Sequence, residues 1–301
     1  MPGGRNEPLA GRPYHRAMHT QRVPVADGIE LAVDTWAPAT AAGRSFVLVH
    51  GLASNARMWD GVAARLAECG HHPLTVDLRG HGRSSKPDAG YEMPTVADDL
   101  ARLVEVLGLD RPIVAGQSWG GNIVLELAAR HPDAVGGIVC VDGGWLEPCA
   151  VFPTWEACLA ALAPPRLAGL PHSEIEGYIR SAHRDWPESG IAGTLANFET
   201  RADGTVAPWL TYERHISVLR GLWDHRPSER YPAVPVPVLL APADTGETAR
   251  AADKREGVAV ALRDLPIARA HWFTGDHDIH AQHPVELADV MLDHLATGFF
   301  R

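Results

Sequence analysis

Three kinds of side chain in this sequence could together carry out nucleophilic chemistry. Ser118 lies in the stretch AGQSWGG (115–121), where it fits the pattern G-x-S-x-G between an apolar run and a helical pattern. A serine hydroxyl is a weak nucleophile at neutral pH, so it needs a base, and the base needs an acid that orients it. The chain order Ser…Asp…His indicates Asp244, at the end of VPVLLAPAD, as the acid and His277, in TGDHDIH, as the base.

The position of Ser118 predicts a sharp strand-to-helix turn. Such a turn holds the serine in a strained backbone conformation at the carboxyl edge of a sheet, where the next helix offers free N–H groups and its positive dipole end. A tetrahedral intermediate needs two N–H donors directed at its oxyanion. We expect these donors to be the backbone amides of Trp119 and Leu52, the latter in VLVHGLASN (47–55). The ring of His50 is expected only to brace that loop.

Two alternative assignments remain open for the acid and for the histidine-rich segment. Asp142, which ends the run VGGIVCVD, is the alternative acid. His280 and His283 lie close to His277 and could suggest a metal site. A metal site needs ligands on compatible faces and usually a further distant ligand, so we expect no metal and assign His280 and His283 to the loop or the next helix start. Asp276 and Asp278 are expected to point away from the His277 ring.

The elements that must position these residues alternate between strands and helices. A hairpin is predicted around Asp27-Gly28, and compact apolar runs predict buried strands. These runs lie at 45–51, 72–80, 111–118, 135–143, 236–244 and 268–276. Helical patterns fill the gaps, and one is expected to begin at Pro284. This alternation predicts an α/β fold with a mostly parallel, eight-stranded twisted sheet and helices on both faces.

The alternation is interrupted over residues 144–230, which contain helical pieces and five of the nine tryptophans. We therefore divide the chain into a mobile tail (1–20), a core (21–143 and 231–301) and a helical cap inserted in the core (144–230). The aromatic residues of the cap suit a pocket for an apolar or aromatic small molecule. The candidates for substrate binding are Trp119, Trp145, Phe152, Trp155 and Trp209.

Composition excludes several other classes of protein. A formal net charge of −10 argues against a nucleic-acid partner or an anionic membrane surface. No apolar run is long enough to span a membrane and no signal peptide is evident, so the expected location is the cytoplasm, as a monomer or homodimer. Four dispersed cysteines predict free thiols. Only Lys86 and Lys254 are lysines among 27 basic residues, which we attribute to codon composition rather than to chemistry.

The combined motifs resemble those of the α/β-hydrolase family over residues 21–301. The resemblance rests on HG at 50–51, DLRGHGRSS at 77–85, GQSWGG at 116–121, PVLLAPAD at 237–244 and GDH at 275–277. It implies a capped serine hydrolase of the esterase and lipase type, without a cofactor, that cleaves a carboxylic ester, lactone or thioester through an acyl-enzyme on Ser118. Similar proteins also hydrolyse carbon–carbon bonds or act as cofactor-free haloperoxidases or perhydrolases. A lyase, a cyclase or a ligand-binding protein on the same fold is a further alternative.

Overall fold

The structure is a computed structural model that describes residues 19–38, 43–244, 246 and 251–300. Residues 1–18 of the expected tail lie outside this part, whereas His19 and Thr20 already belong to the first strand, opposite Thr35 and Asp34. The strands are β1 (His19–Ala26), β2 (Ile29–Thr35), β3 (Ser45–Val49), β4 (His72–Asp77), β5 (Ile113–Gln117), β6 (Gly137–Val141), β7 (Phe198–Thr200), β8 (Val206–Pro208), β9 (Val238–Ala241), β10 (Ala243–Asp244), β11 (Ala268–Ala270) and β12 (Phe273–Thr274).

Eleven α-helices lie in the described residues. They are α1 (Asp60–Glu68), α2 (Met93–Val106), α3 (Trp119–Arg130), α4 (Pro148–Val151), α5 (Trp155–Leu162), α6 (His172–Ala182), α7 (Glu188–Leu195), α8 (Tyr212–Asp224), α9 (Ala251–Asp264), α10 (Ile279–Gln282) and α11 (Pro284–Ala296). The last of these begins at the proline that the sequence indicated.

The main sheet has eight strands in the order β1-β2-β4-β3-β5-β6-β9-β11. The β1–β2 and β2–β4 pairs are antiparallel, and the other pairs are parallel. The predicted fold class is therefore confirmed. The carboxyl ends of β3, β5 and β6 meet at one edge, so the loops after them can bring distant residues together.

Both faces of the central strands β3, β5, β6 and β9 are buried, which explains their compact apolar runs. Along β3, Val47 and Val49 pack into one core cluster while Phe46 and Leu48 pack into the other. Residues of α2, α3 and α9 cover the first face, and residues of α1 and α11 cover the second. Because side chains alternate between the two faces of a strand, a strand buried on both sides must be apolar throughout.

The segment between β6 and β9 contributes no strand to the main sheet. Residues 144–230, which we call the cap segment, contain α4 to α8 and the short antiparallel β7–β8 hairpin. Polar contacts tie this segment to the core loops. Asn55 donates from its side-chain amide to the Gly193 carbonyl oxygen at 2.9 Å, and the Trp186 indole donates to Asp276 at 3.0 Å.

Candidate active site

Ser118 occupies the turn between β5 and α3 in a conformation that few non-glycine residues adopt. Its φ is 54° and its ψ is −118°, and it directly precedes the first residue of α3. Hydrogen bonds fix this turn: the Ser118 amide donates to the Val141 carbonyl at 2.8 Å, and the Gly121 amide donates to the Ser118 carbonyl at 2.9 Å. Strain of this kind persists only where surrounding contacts over-determine the backbone.

The glycines of the G-x-S-x-G pattern are required by close backbone approaches. A Cβ atom on Gly116 would lie 2.2 Å from the Gly120 carbonyl oxygen, and one on Gly120 would lie 2.4 Å from the His50 carbonyl oxygen. Either distance is far below van der Waals contact. The strand, the turn and the loop after β3 can therefore pack this closely only because both positions lack a side chain.

His277 lies in the loop between β12 and α10, and its ring is held by Asp142. The Nδ1 atom of His277 lies 2.6 Å from Oδ2 of Asp142, which directly follows β6 and whose side chain is only 2% exposed. Oδ1 of the same carboxylate accepts the Ala243 amide at 3.0 Å. A carboxylate cannot donate, so Nδ1 carries the proton and Nε2 is the ring nitrogen left to act as a base.

The first choice of acid, Asp244, is wrong as the partner of the His277 ring in this structure. The run 236–244 does not form one strand: it divides around Pro242 into β9 and β10, and β10 pairs with β12 in a separate small sheet. The Asp244 side chain is 44% exposed, accepts the Gly246 amide at 3.0 Å and lies 3.9 Å from Arg255. Asp142, the alternative acid, makes the contact instead.

Lys254 of α9 is a member of this group that the sequence analysis missed. Its Nζ lies 2.8 Å from Oδ2 of Asp142, the oxygen that also contacts His277, and 2.7 Å from the Ala243 carbonyl oxygen. The scarcity of lysine in an arginine-rich chain was the available signal. A flexible side chain with a compact charge can reach a buried carboxylate that a planar guanidinium would not fit in the same way.

Opposing effects set the ionisation of the pair. Burial favours the neutral form of Asp142, but the hydrogen bond from His277 and the charges of His277 and Lys254 outweigh it, so the pKa of Asp142 lies below its ordinary value. Burial also favours neutral His277, yet the Asp142 hydrogen bond and the nearby charges of Asp278 and Asp142 raise the pKa of His277. Lys254 acts in the opposite direction and lowers it.

His50 braces the loop after β3, as its ring was expected to do. Its Nε2 accepts the Leu78 amide at 3.0 Å, and its Nδ1 lies 2.7 Å from the Gly51 carbonyl oxygen. Burial lowers the pKa of His50 to about 4, so the ring is neutral at pH 7 and donates through Nδ1. This contact connects the loop that contains Leu52 to the end of β4.

Ser118 lines the smaller of two adjoining cavities. The smaller one, of about 160 Å³, is lined by Ser118 and His277 together with residues 52–54, Met58, Gln117, His183, Trp186, Thr194, Asn197 and Asp278. A larger one, of about 450 Å³, shares Ala53, Ser54 and Asn197 with it. We call the larger cavity the cap chamber; its walls are residues 53–55, 82, 164–168, 197, 198, 201, 207–213 and 215.

Of the five aromatic candidates for substrate binding, Trp209 lines the cap chamber. The Trp119 indole is fully buried and stacks on His81 with ring centroids 5.3 Å apart, so it does not wall either cavity around Ser118. Trp145 is buried against Gly257 of α9. Trp155 lines a separate cavity beside α8, and its ring centroid lies 6.0 Å from that of Trp223. Phe152 directly follows α4 and is not among the residues that line the two cavities.

The remaining histidine-segment residues take different places. His280 is fully buried beside Trp59, with ring centroids 4.6 Å apart, and burial lowers its pKa to about 3. His283 occupies the N-cap position of α11. Asp278 was expected to point away from the His277 ring. The structure instead places it in the wall of the cavity that contains Ser118. Among the described residues, no three His, Cys, Asp or Glu side chains form a potential metal-ligand set.

Comparisons with known proteins agree with this architecture. A sequence model described as the alpha/beta hydrolase fold matches residues 44–186. A protein of Mycobacterium phage D29 named as a non-heme haloperoxidase is 33% identical over 125 residues, which are 42% of this chain and 44% of that relative. The chain thus spans less than half the length of this curated relative.

Solved structures resemble nearly the whole chain. The E-2-(acetamidomethylene)succinate hydrolase structure has a TM-score of 0.74 at 24% identity and covers 92% of this chain and 99% of its own. The thioesterase domain from the curacin biosynthetic pathway has a TM-score of 0.73 at 21% identity, covering 92% and 100%. The chain is therefore an alpha/beta hydrolase by fold. Within the described residues no helix is both long and apolar enough to cross a membrane.

The two aspartates can be separated by substitution. Asp142→Asn removes the charge that fixes the His277 ring, so kcat/KM should fall by about three to four orders of magnitude. Asp244→Asn changes an exposed residue and should leave kcat/KM within about twofold, as expected for a surface change without a partner in the site. Circular dichroism should show that both variants are folded. Loss of turnover in Asp244→Asn alone would contradict the assignment.

Lys254 should control the acidic side of the pH profile. His277 must be neutral to accept a proton, so activity falls as the pH drops through its pKa. Lys254→Met removes a cation that lowers this pKa, while Asp142 and Asp278 continue to raise it. The acidic limb of kcat/KM should move to higher pH in Lys254→Met and move less in Lys254→Arg, which keeps a positive charge near His277 although its guanidinium fits the carboxylate less well. Arg102→Gln, which removes an exposed positive charge from α2, is the control; an unmoved limb in Lys254→Met would show that the contact does not tune His277.

Proposed function

We propose that the protein is a serine hydrolase that cleaves a carboxylic ester, lactone or thioester through an acyl-enzyme on Ser118. The observation that carries this proposal is the hydrogen bond from the His277 ring to the buried Asp142 carboxylate. His277 lines the same cavity as Ser118. A nucleophile, a base and an orienting acid from three separate loops are what acyl transfer through serine requires.

In the proposed reaction, Ser118 Oγ attacks the substrate carbonyl carbon while Nε2 of His277 takes the hydroxyl proton. Asp142 keeps the proton of His277 on Nδ1 and stabilises the imidazolium that forms. The backbone amides of Leu52 and Trp119 donate to the oxyanion, a role supported by the place of Leu52 in the cavity wall and of Trp119 at the start of α3. His277 then protonates the leaving group, and a water molecule activated by the same ring releases the acid.

We propose that the cap segment provides the binding pocket for the substrate. The cap chamber adjoins the Ser118 cavity, and Leu167, Phe198, Trp209 and Leu210 are among its apolar wall residues. The volume of the Ser118 cavity alone accommodates a small acyl group, whereas the chamber adds room for a longer or aromatic one. The names of the similar structures, a succinate-derivative hydrolase and a thioesterase, are compatible with this class of reaction.

Perhydrolysis is a second candidate, favoured by the relative named as a haloperoxidase. The same acyl-enzyme would react with hydrogen peroxide instead of water and release a peracid. With acetate, hydrogen peroxide and bromide, the peracid would oxidise bromide to hypobromite, and bromination of a dye would detect it. A loss of that activity in Ser118→Ala would assign it to the same serine.

A fluorophosphonate probe tests the proposed nucleophile. The probe should label the wild-type protein at Ser118, label His277→Gln far more slowly, and leave Ser118→Ala unlabelled. Among p-nitrophenyl esters, hexanoate and benzoate should have a higher kcat/KM than acetate, by about tenfold for the apolar surface that the chamber buries. An unlabelled wild-type protein would favour a binding protein, lyase or cyclase, and a preference for acetate would contradict the proposed pocket.

A further inference from the structure

The cap chamber has an excess of positive charge in its wall. Arg166 and Arg201 both line it, and neither has a carboxylate within 4.0 Å in the part of the chain that the structure describes. The Arg166 guanidinium lies over the Tyr212 ring, 4.2 Å from its centroid. Lys86 adds a third cation behind the wall, because its Nζ lies 5.2 Å from the centroid of the Trp209 ring and donates to the Gly82 carbonyl.

Fewer carboxylates than guanidinium groups line the chamber, and Asp203, which interacts electrostatically with Arg201, lies outside the wall. Glu213 is the carboxylate among the wall residues. The next residue, Arg214, is already paired with Asp88 at 3.0 Å, so it does not neutralise a wall group. Most arginines in the described part of the chain have a carboxylate within 4.0 Å, as Arg180 and Arg220 do, so the two guanidinium groups at the chamber are exceptions.

A buried histidine also borders the chamber. His215 of α8 is 7% exposed and lines the cavity, and its Nε2 has no hydrogen-bond partner within the described chain. Burial lowers the pKa of His215 to about 4, so the ring is neutral at pH 7. A neutral ring at this position adds no charge to the chamber wall, so the guanidinium groups determine its electrostatic character.

The smaller cavity has the opposite character. Asp278 lines it beside Ser118 and His277; burial raises the pKa of Asp278, and in its ionised form the carboxylate repels an anion held close to the reacting carbonyl. An anionic substrate group is therefore disfavoured next to Ser118 and favoured at the far end of the cap chamber. The two cavities together favour a substrate that is uncharged at the reacting carbonyl and negatively charged at its other end.

We propose that the cap chamber is a subsite for a carboxylate at the far end of an otherwise apolar substrate. Arg166 and Arg201 bind this carboxylate through their guanidinium groups. Guanidinium groups suit the task because their planar N–H groups match the two oxygens of a carboxylate. This inference rests on the proposed serine hydrolase, and it changes the expected substrate from purely apolar to apolar with one charged end.

Matched ester pairs test the subsite. One pair places the charge on the acyl side, p-nitrophenyl hydrogen adipate against p-nitrophenyl hexanoate. The other pair places the charge on the alcohol side. It compares the butanoate ester of hydroxyhexanoic acid, esterified at its terminal hydroxyl group, with hexyl butanoate. At least one charged ester should have the higher kcat/KM. Arg166→Gln and Arg201→Gln should each lower kcat/KM for that ester by about tenfold, as expected for a lost hydrogen bond to a charged group, and leave its neutral partner within about twofold.

Arg102→Gln is the matched control, because it removes one exposed positive charge from α2, where Arg102 pairs with Glu105. It should not alter either preference. The subsite is overturned if neither charged ester is preferred, or if the chamber arginine variants slow charged and neutral esters equally. Hydrolysis of the neutral esters together with fluorophosphonate labelling would then leave the serine hydrolase itself intact.

Equilibrium binding tests the subsite without turnover. In Ser118→Ala protein, calorimetry should show that monomethyl adipate binds at least tenfold more tightly than dimethyl adipate, and Arg166→Gln should abolish the difference. This result would stand even if no ester were hydrolysed by the wild-type protein. Equal affinities for the two esters would show that the chamber does not bind a carboxylate.

Discussion

The buried carboxylate of Asp142 is the interaction on which the rest of the site depends. One oxygen contacts both the His277 ring and the Lys254 ammonium, and the other accepts the Ala243 amide. A carboxylate that is 2% exposed is costly unless it is paired and hydrogen-bonded, and here every contact also fixes a different element. Asp142 itself has a φ of 41°, so its backbone as well as its side chain is held by this network.

The same network joins parts of the chain that lie far apart in sequence. Asp142 follows β6, Lys254 belongs to α9 and His277 follows β12, while Gln117 of β5 donates from its side chain to the His277 carbonyl oxygen at 3.2 Å. The histidine loop is thereby fixed both to the strand that precedes Ser118 and to the acid. The close backbone packing at Gly116 and Gly120 places Ser118 in the same cavity. Strain at Ser118 and charge at Asp142 are thus held by one connected set of contacts.

The sequence was sufficient for the fold and for two of the three groups in this constellation. The length and the continuous apolar character of these runs identified the buried strands, because a strand covered on both faces must be apolar along its length. The pattern around Ser118 predicted the strained turn because few turns bring a strand and helix so close. The choice between Asp244 and Asp142 could not be made in this way. Both follow predicted strands, and only the break at Pro242, which turns Asp244 towards its own loop, separates them. Lys254 lies on a helix 112 residues from Asp142, and no local pattern predicts such a contact.

Proton NMR of the His277 ring tests the central claim most directly. In protein with nitrogen-labelled histidine at acidic pH, the Nδ1 proton should give a resonance downfield of the backbone amides, because a hydrogen bond to a buried carboxylate deshields it and slows its exchange. His277→Gln assigns the resonance by removing it. The account predicts that the resonance disappears in Asp142→Asn and remains in Asp244→Asn. A resonance that survives in Asp142→Asn and is lost in Asp244→Asn would contradict it.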